Sequence, residues 1–448
     1  MQQTANDDTA STQRIETRYR RIVTPIPTPE STRAIESLRR LEPEGLGVPG
    51  PVVWDRAEGY QVFDRHGNRW IDFTSGIYVA NIGHAHPHVV EAMRQQLEKP
   101  MLHAYLFATQ IRLRFLEKLI EVTPANLTKA FLLTTGSESI ECAVKLSRLY
   151  GLSIDPKKTV IVAAAGAFHG KTMGAQMLSS AAEAKRWIVN LDPDVRHIPF
   201  PDEDDGPDTF DRHVADLGVN PERIAAFVLE SYQGMGGPKF YPPSYVQALR
   251  RFADAHGALV VFDEIQAGFG RTGKLLAYEH YGVDADLVCC GKGISSCMPL
   301  SAVLGRGELL DLPESNALTS THTANPMACA AALATLEVLE QENLVAESAR
   351  RGAIFAEGLE RIRSRHGDRI SCVRGRGLVH AIFFVRPGTS EPDVAIAERI
   401  TDRAIQKGLM LFQTHGDLVK MGPPLTIPDD ALREGIDVLG EAVDECLV

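Results

Sequence analysis

The chain has 448 residues, 44% of them hydrophobic, and a formal net charge of −11. That length supplies core for more than one domain of the usual ~100–150 residues, and the acidic balance argues against nucleic acid as a partner. No run of roughly 18 apolar residues marks a membrane span, and the polar start MQQTANDDTASTQ lacks the basic-then-apolar order of a signal peptide. A cytoplasmic location is expected. The seven cysteines are scattered, with Cys289 and Cys290 adjacent in an apolar run, and read as free thiols rather than bridges or metal ligands.

Residues 1–20 are polar enough to be disordered, and the Pro-rich RIVTPIPTPEST that follows reads as an extended arm, lying on the surface or crossing onto a partner subunit. Two alternating runs, 60–63 and 69–73, flank HGN and predict a hairpin. In FTSGIYVANIGHAHPHVVEAM, Ser75 and Gly76 make a loop, and an apolar-periodic helix runs from residue 88 to about 97. His84, His86 and His88 stand two apart rather than at the i, i+4 spacing of zincins. No nearby acid or cysteine completes a ligand set, so no metal site is expected.

Strand and helix signals then alternate. Residues 131–133 form a strand, and the helix after it places Ile140, Val144 and Leu146 on one face. Gly136 and Ser137 stand where that helix begins, so their N–H groups and the serine hydroxyl can hold a phosphate at the positive end of the helix dipole. Ordinary capping, with Ser137 as N-cap and Glu141 nearby, accounts for the same residues. A strand at 160–163 ends in GAFHGKT, a turn that carries an aromatic, Phe168, and His169 beside it. A strand at 226–229 ends at Glu230 in LESYQGMGG, whose glycines permit close backbone approach.

Two apolar runs, 259–262 and 287–290, have the length and β-branched content of buried parallel strands. The first delivers Asp263, Glu264 and Gln266; the second delivers Lys292 between Gly291 and Gly293. A desolvated lysine can lose its proton and act as an amine nucleophile. An aspartate aimed at a heteroaromatic nitrogen keeps that nitrogen protonated. Singly, Asp263 reads as a helix cap and Lys292 as a surface lysine; as a pair at neighbouring strand ends they fit pyridoxal 5'-phosphate (PLP). Further on, STHTANPMACAAALATLEVLE enters a small-residue helix, VRGRGLVHAIFFV gives a strand-like pair, and a final helix follows PDDALREG.

FDEIQAGFGRTGKL, DLVCCGKGI, PLSAVLGR and STHTANPMACAAALATLEVLE, in that order, resemble the class III (omega-type) aminotransferases of PLP fold type I, from about residue 54 to near the C-terminus. The resemblance implies an α/β fold. A large domain, 76–329, would hold a mostly parallel seven-stranded sheet flanked by helices. A small α+β domain would combine an N-terminal arm and hairpin, 21–75, with the C-terminal segment 330–448. The implied cofactor is PLP, held by Lys292, which also carries the proton. Gly136 and Ser137 would hold the phosphate, Phe168 and Ile265 the two ring faces, Asp263 the ring nitrogen and Gln266 the phenolic oxygen, with His169 and Glu230 close by. Thr321 would reach the phosphate of a neighbouring subunit, implying a homodimer or higher assembly with shared sites.

For substrate, the resemblance points to Ile77 and Tyr78, which fall in the segment that lines the pocket. It also points to three departures from the family pattern. Lys171 stands where members using 4-aminobutyrate carry an arginine, Lys420 where members using glutamate carry one, and Met235 where an acid gates the latter. Positive charge survives, but not the planar fork that pairs with a carboxylate. The expected reaction is ping-pong transfer of an amino group from an amino acid or primary amine to a keto acid or other carbonyl acceptor. A racemase or epimerase of the same fold is the alternative, weakened by Met235 at the position of the second acid. A dialkylglycine-type decarboxylase is weakened by Ile77 where a glutamine is expected.

Overall fold

The computed structural model describes residues 14–47, 50–99, 101–414 and 416–447. The first of its three sheets joins β1 (Ile15–Glu16), β2 (Arg21–Ile22), β3 (Arg56–Glu58), β4 (Gln61–Phe63) and β5 (Arg69–Asp72), in the order β1-β2-β5-β4-β3. The hairpin expected around HGN is the β4–β5 pair, with Gln61 opposite Ile71 and Phe63 opposite Arg69. Two expectations for this region change. Disorder through residue 20 does not hold from Arg14 on, because Ile15 pairs with Ile22 and Tyr19 is buried; residues 1–13 lie outside the described residues. The extended arm is shorter than expected, because a helix, Pro29–Leu41, starts inside it. Thr28 accepts from the Ser31 N–H as its cap, and Pro29 sits where a missing N–H has no consequence.

The second sheet is the centre of the molecule. It contains β6 (Lys129–Leu133), β7 (Val160–Ala164), β8 (Val195–Ile198), β9 (Ile224–Glu230), β10 (Leu259–Asp263), β11 (Leu287–Cys290) and β12 (Ser301–Gly305), in the order β6-β12-β11-β10-β9-β7-β8. Only β12 runs against the other six. Burial on both faces is why these strands read as near-continuous apolar runs. Along β10, Val260 and Phe262 enter one core cluster, and Leu259 and Val261 the other. The two-residue period therefore puts Asp263 on the Val261 face and sends Glu264 to the opposite side. Each such side chain stabilises the sheet by about 1.5–3 kcal/mol.

The third sheet contains β13 (Ile370–Arg376) and β14 (Val379–Phe384), the expected strand-like pair, turned at Gly377 with φ +55°. Next in the chain, β15 (Leu409–Met410) returns to the first sheet and pairs with β5 in parallel. The last strand, β16 (Leu418–Met421), adds to β14. The final helix, Asp429–Cys446, begins inside PDDALREG rather than after it, with Asp429 and Asp430 at its positive end. The small-residue helix Pro326–Gln341 is almost wholly buried. No helix among the described residues is long and apolar enough to cross a membrane.

Candidate active site

A cavity of about 520 Å³ opens beyond the carboxyl ends of β6, β7, β9, β10 and β11, where open α/β sheets bind ligands. Its lining includes Gly136, Ser137, Phe168, His169, Lys171, Glu230, Asp263, Ile265, Gln266 and Lys292. Ten sequence-derived positions thus converge from five strand ends.

Asp263 and Glu230 face each other across the β9–β10 ladder. Burial pushes the Glu230 carboxyl up to about 7, and the nearby Asp263 charge adds to that against the opposing pull of His169. Glu230 accepts from Phe168 N (2.9 Å) and Gly234 N (3.0 Å), so it clamps two cavity loops together. Asp263 Oδ2 is 2.8 Å from His169 Nδ1, and Oδ1 accepts from Ile265 N at 3.0 Å. Burial disfavours the charged form of His169, but the hydrogen bond and charge of Asp263, with Glu230, outweigh it and hold the imidazole above its ordinary pKa. Burial lowers the Lys292 ammonium, against the pull of Asp263 and Glu230. Glu264, by contrast, accepts from Ser231, Ala277 N and Tyr278 N and lies outside the cavity lining.

Lys292 itself has φ +43°, whereas Gly291 is extended. The glycines therefore serve close packing: a Cβ on Gly293 would come within 2.4 Å of Asn81, and one on Gly291 within 3.1 Å of Ile265. Opposite, the helix Gly136–Ile154 is capped by Thr135, not Ser137, in a reciprocal box with Glu138. That leaves the Ser137 hydroxyl free of the capping role. Glu141 instead binds Thr172 Oγ1, Gly174 N and Ala175 N, fixing the Phe168 loop to this helix. Gly170 lies so close that a Cβ there would meet Ser137 Oγ at 2.2 Å.

Other sequence-derived residues lie outside this lining. Ser75 to Tyr78 is not a plain loop but one left-handed turn, with φ of +49°, +58°, +62° and +64°. Its three non-glycine residues each cost roughly 1–2 kcal/mol, so the surroundings must fix it. Asp72 accepts from Thr74 N and Oγ1 at 2.7 Å each, and Ser75 Oγ donates to Gly422 O at 2.6 Å. The buried Arg271 donates to Ser75 Oγ, Asn81 Oδ1, Leu378 O and Pro423 O. The turn delivers Val79 to the cavity, while Ile77 is exposed and Tyr78 is buried against Phe412 and Lys420. Met235 is 62% exposed and Thr321 is exposed, both outside the lining. Lys420 is buried, with its amine 2.7 Å from both Gly234 O and Gln266 Oε1. His84, His86 and His88 pair with three separate carboxylates, those of Asp72, Glu342 and Glu337.

Sequence reasoning missed Tyr232, Thr134, Thr135 and the stretch from Cys297 to Leu300, all in the lining. The T-x-x-E spacing of Thr135 and Glu138 was a readable signal for the cap; nothing local marks Tyr232.

The sequence profile described as "Aminotransferase class-III" matches residues 47–443. The chain belongs to the class III aminotransferases. It is 36% identical to the 4-aminobutyrate aminotransferase GabT of Escherichia coli (strain K12), over 90% of this chain and 96% of that one. It is 35% identical to the 5-aminovalerate aminotransferase DavT of Pseudomonas aeruginosa, with the same shares covered. An alanine/serine racemase of Pyrococcus horikoshii is 32% identical, over 96% and 94%. Among solved structures, the ornithine aminotransferase of Toxoplasma gondii ME49 superposes with a TM-score of 0.84 at 26% identity, covering 93% of this chain and 95% of that one. A class III aminotransferase uses PLP, and the cavity suits it. It sets an amine and a buried acid at neighbouring strand ends, leaves His169 Nε2 buried without a partner among the described residues, and carries unopposed N–H groups at a long helix's start.

Proposed function

We propose that this aminotransferase takes donors carrying a terminal primary amine, with any carboxylate they bear held remotely. The observation that supports this is the absence of arginine from the cavity lining among the described residues; besides His169, Lys171 and Lys292 are its basic side chains. A lysine binds a carboxylate as a point charge, without the bidentate fork that clamps an α-carboxylate beside the reacting carbon. Arg271 cannot substitute, because both its terminal nitrogens, the pair that would grip a carboxylate, are engaged by protein groups.

In this reading PLP supplies the electron sink, Lys292 holds it and moves the proton at the substrate carbon, and Asp263 keeps the ring nitrogen protonated. Phe168 and Ile265 would flank the ring, and Gly136 and Ser137 would take the phosphate. Lys171→Ala should raise KM for 5-aminovalerate about five- to tenfold, the effect of losing one charge contact, and leave a simple alkylamine unchanged. Equal effects on both would remove Lys171 from recognition.

The assembly is proposed to be a cytoplasmic homodimer in which Thr321, exposed here, serves the partner's phosphate. Thr321→Ala should then release PLP faster on dialysis; equal retention would count against the shared site. The racemase relative motivates inversion at the substrate carbon as a second reading. It requires a second acid or base facing Lys292, and the exposed Met235 supplies none.

A further inference from the structure

The carboxamide of Gln266 has one acceptor end and one donor end, and something must choose which faces the cavity. Its Oε1 accepts from Lys420 Nζ at 2.7 Å and from Tyr232 OH at 3.3 Å. Burial lowers the Lys420 amine to about 7, yet in either protonation state it has an N–H for Gly234 O and another for the Gln266 oxygen, which turns the NH₂ end away. Gln266 Nε2 has no hydrogen-bond partner among the described residues, while the residue lines the cavity.

Lys420 is itself fixed. On β16, Val419 and Met421 enter the main core, so the strand's alternation sends Leu418 and Lys420 to the other face. There the amine donates to Gly234 O and stands 4.5 Å from the centre of the Tyr78 ring. At Gly234 a Cβ would come within 2.6 Å of Gln266 Oε1 and push the carboxamide aside. Tyr78 in turn needs Gly422, where a Cβ would strike its ring at 2.2 Å.

We propose that Lys420 is a positioning residue, the amine donor that orients Gln266 so that its NH₂ group donates into the cavity, with Tyr232 as second donor on the same oxygen. This gives Lys420 a role other than the substrate-carboxylate contact expected from sequence. It rests on the cavity being the PLP site, where Gln266 Nε2 would donate to the phenolic oxygen. An oxyanion that loses such a donor is more basic.

The test is a spectroscopic pH titration of the PLP-loaded protein without substrate. Lys420→Met should shift the chromophore's pKa upward by about one pH unit or more, tenfold in the acid constant. Lys420→Arg, still a donor, should restore most of the wild-type value. Tyr232→Phe, which opens no strand, should shift it the same way by less and serves if Lys420→Met does not fold. No shift in either folded variant overturns the proposal. So does a Lys420→Met protein whose ligand-free titration is wild-type while KM rises only for carboxylated donors, the signature of a carboxylate anchor. Failure of the wild-type protein to bind PLP would instead overturn the site assignment itself.

Discussion

Lys292→Ala is expected to lower kcat by about 10⁴-fold or more, the upper range for removing a proton-transferring side chain, because in the proposed function one amine both holds the cofactor and carries the proton. The protein should still fold. Lys292 sits in a left-handed conformation between two tightly packed glycines, and alanine relieves rather than adds crowding. Borohydride treatment should therefore leave the variant without covalently attached cofactor at an unchanged melting temperature. Undiminished covalent labelling would move the attachment elsewhere. Lys171 is the remaining lysine of the lining, so labelled peptide mapping settles which of the two is attached.

Asp263 separates into two roles. Asp263→Asn keeps the shape and an acceptor for Ile265 N, but no charge to hold a ring nitrogen protonated; kcat should fall about 10²–10⁴-fold with little loss of stability. Asp263→Ala should also destabilise the fold by about 2–4 kcal/mol, because His169 is 2% exposed and would lose its carboxylate partner. The pairing has a pH signature. The folded His169 pKa lies above its ordinary value, so its contribution to stability is complete below the unfolded value of about 6.5 and fades as pH rises through the folded one. Asp263→Asn should remove that fade from thermal unfolding curves. An Asn variant with wild-type kcat, or an alanine variant with wild-type stability, would refute the corresponding role.

How much was legible in the sequence follows from how local each signal is. Strands β9, β10 and β11 announce themselves because a sheet buried on both faces demands unbroken apolar runs, and their ends fix Glu230, Asp263 and Lys292 without further information. The Pro29 helix was missed although its cap and first residue were visible, because the proline-rich composition dominated the reading. The left-handed turn at Ser75–Tyr78 could not be read: nothing in Ser-Gly-Ile-Tyr demands positive φ, and its causes, Asp72, Arg271 and Gly422, lie up to 347 residues away. The fate of Lys420 was hidden for the same reason. Its charge is a sequence fact, but its partners sit on loops 154 and 186 residues distant.

Transfer of an amino group in this cavity can be followed without a full catalytic cycle. Its most direct test is one half-reaction: PLP-loaded protein mixed with 5-aminovalerate, 4-aminobutyrate, ornithine, alanine or a simple alkylamine in the absence of acceptor, with the cofactor then extracted and identified. At least one terminal amine should convert the cofactor stoichiometrically to pyridoxamine 5'-phosphate, and adding a keto acid should return it to PLP. Recovery of unchanged PLP from every donor, with inversion of alanine or release of carbon dioxide, would contradict amino-group transfer.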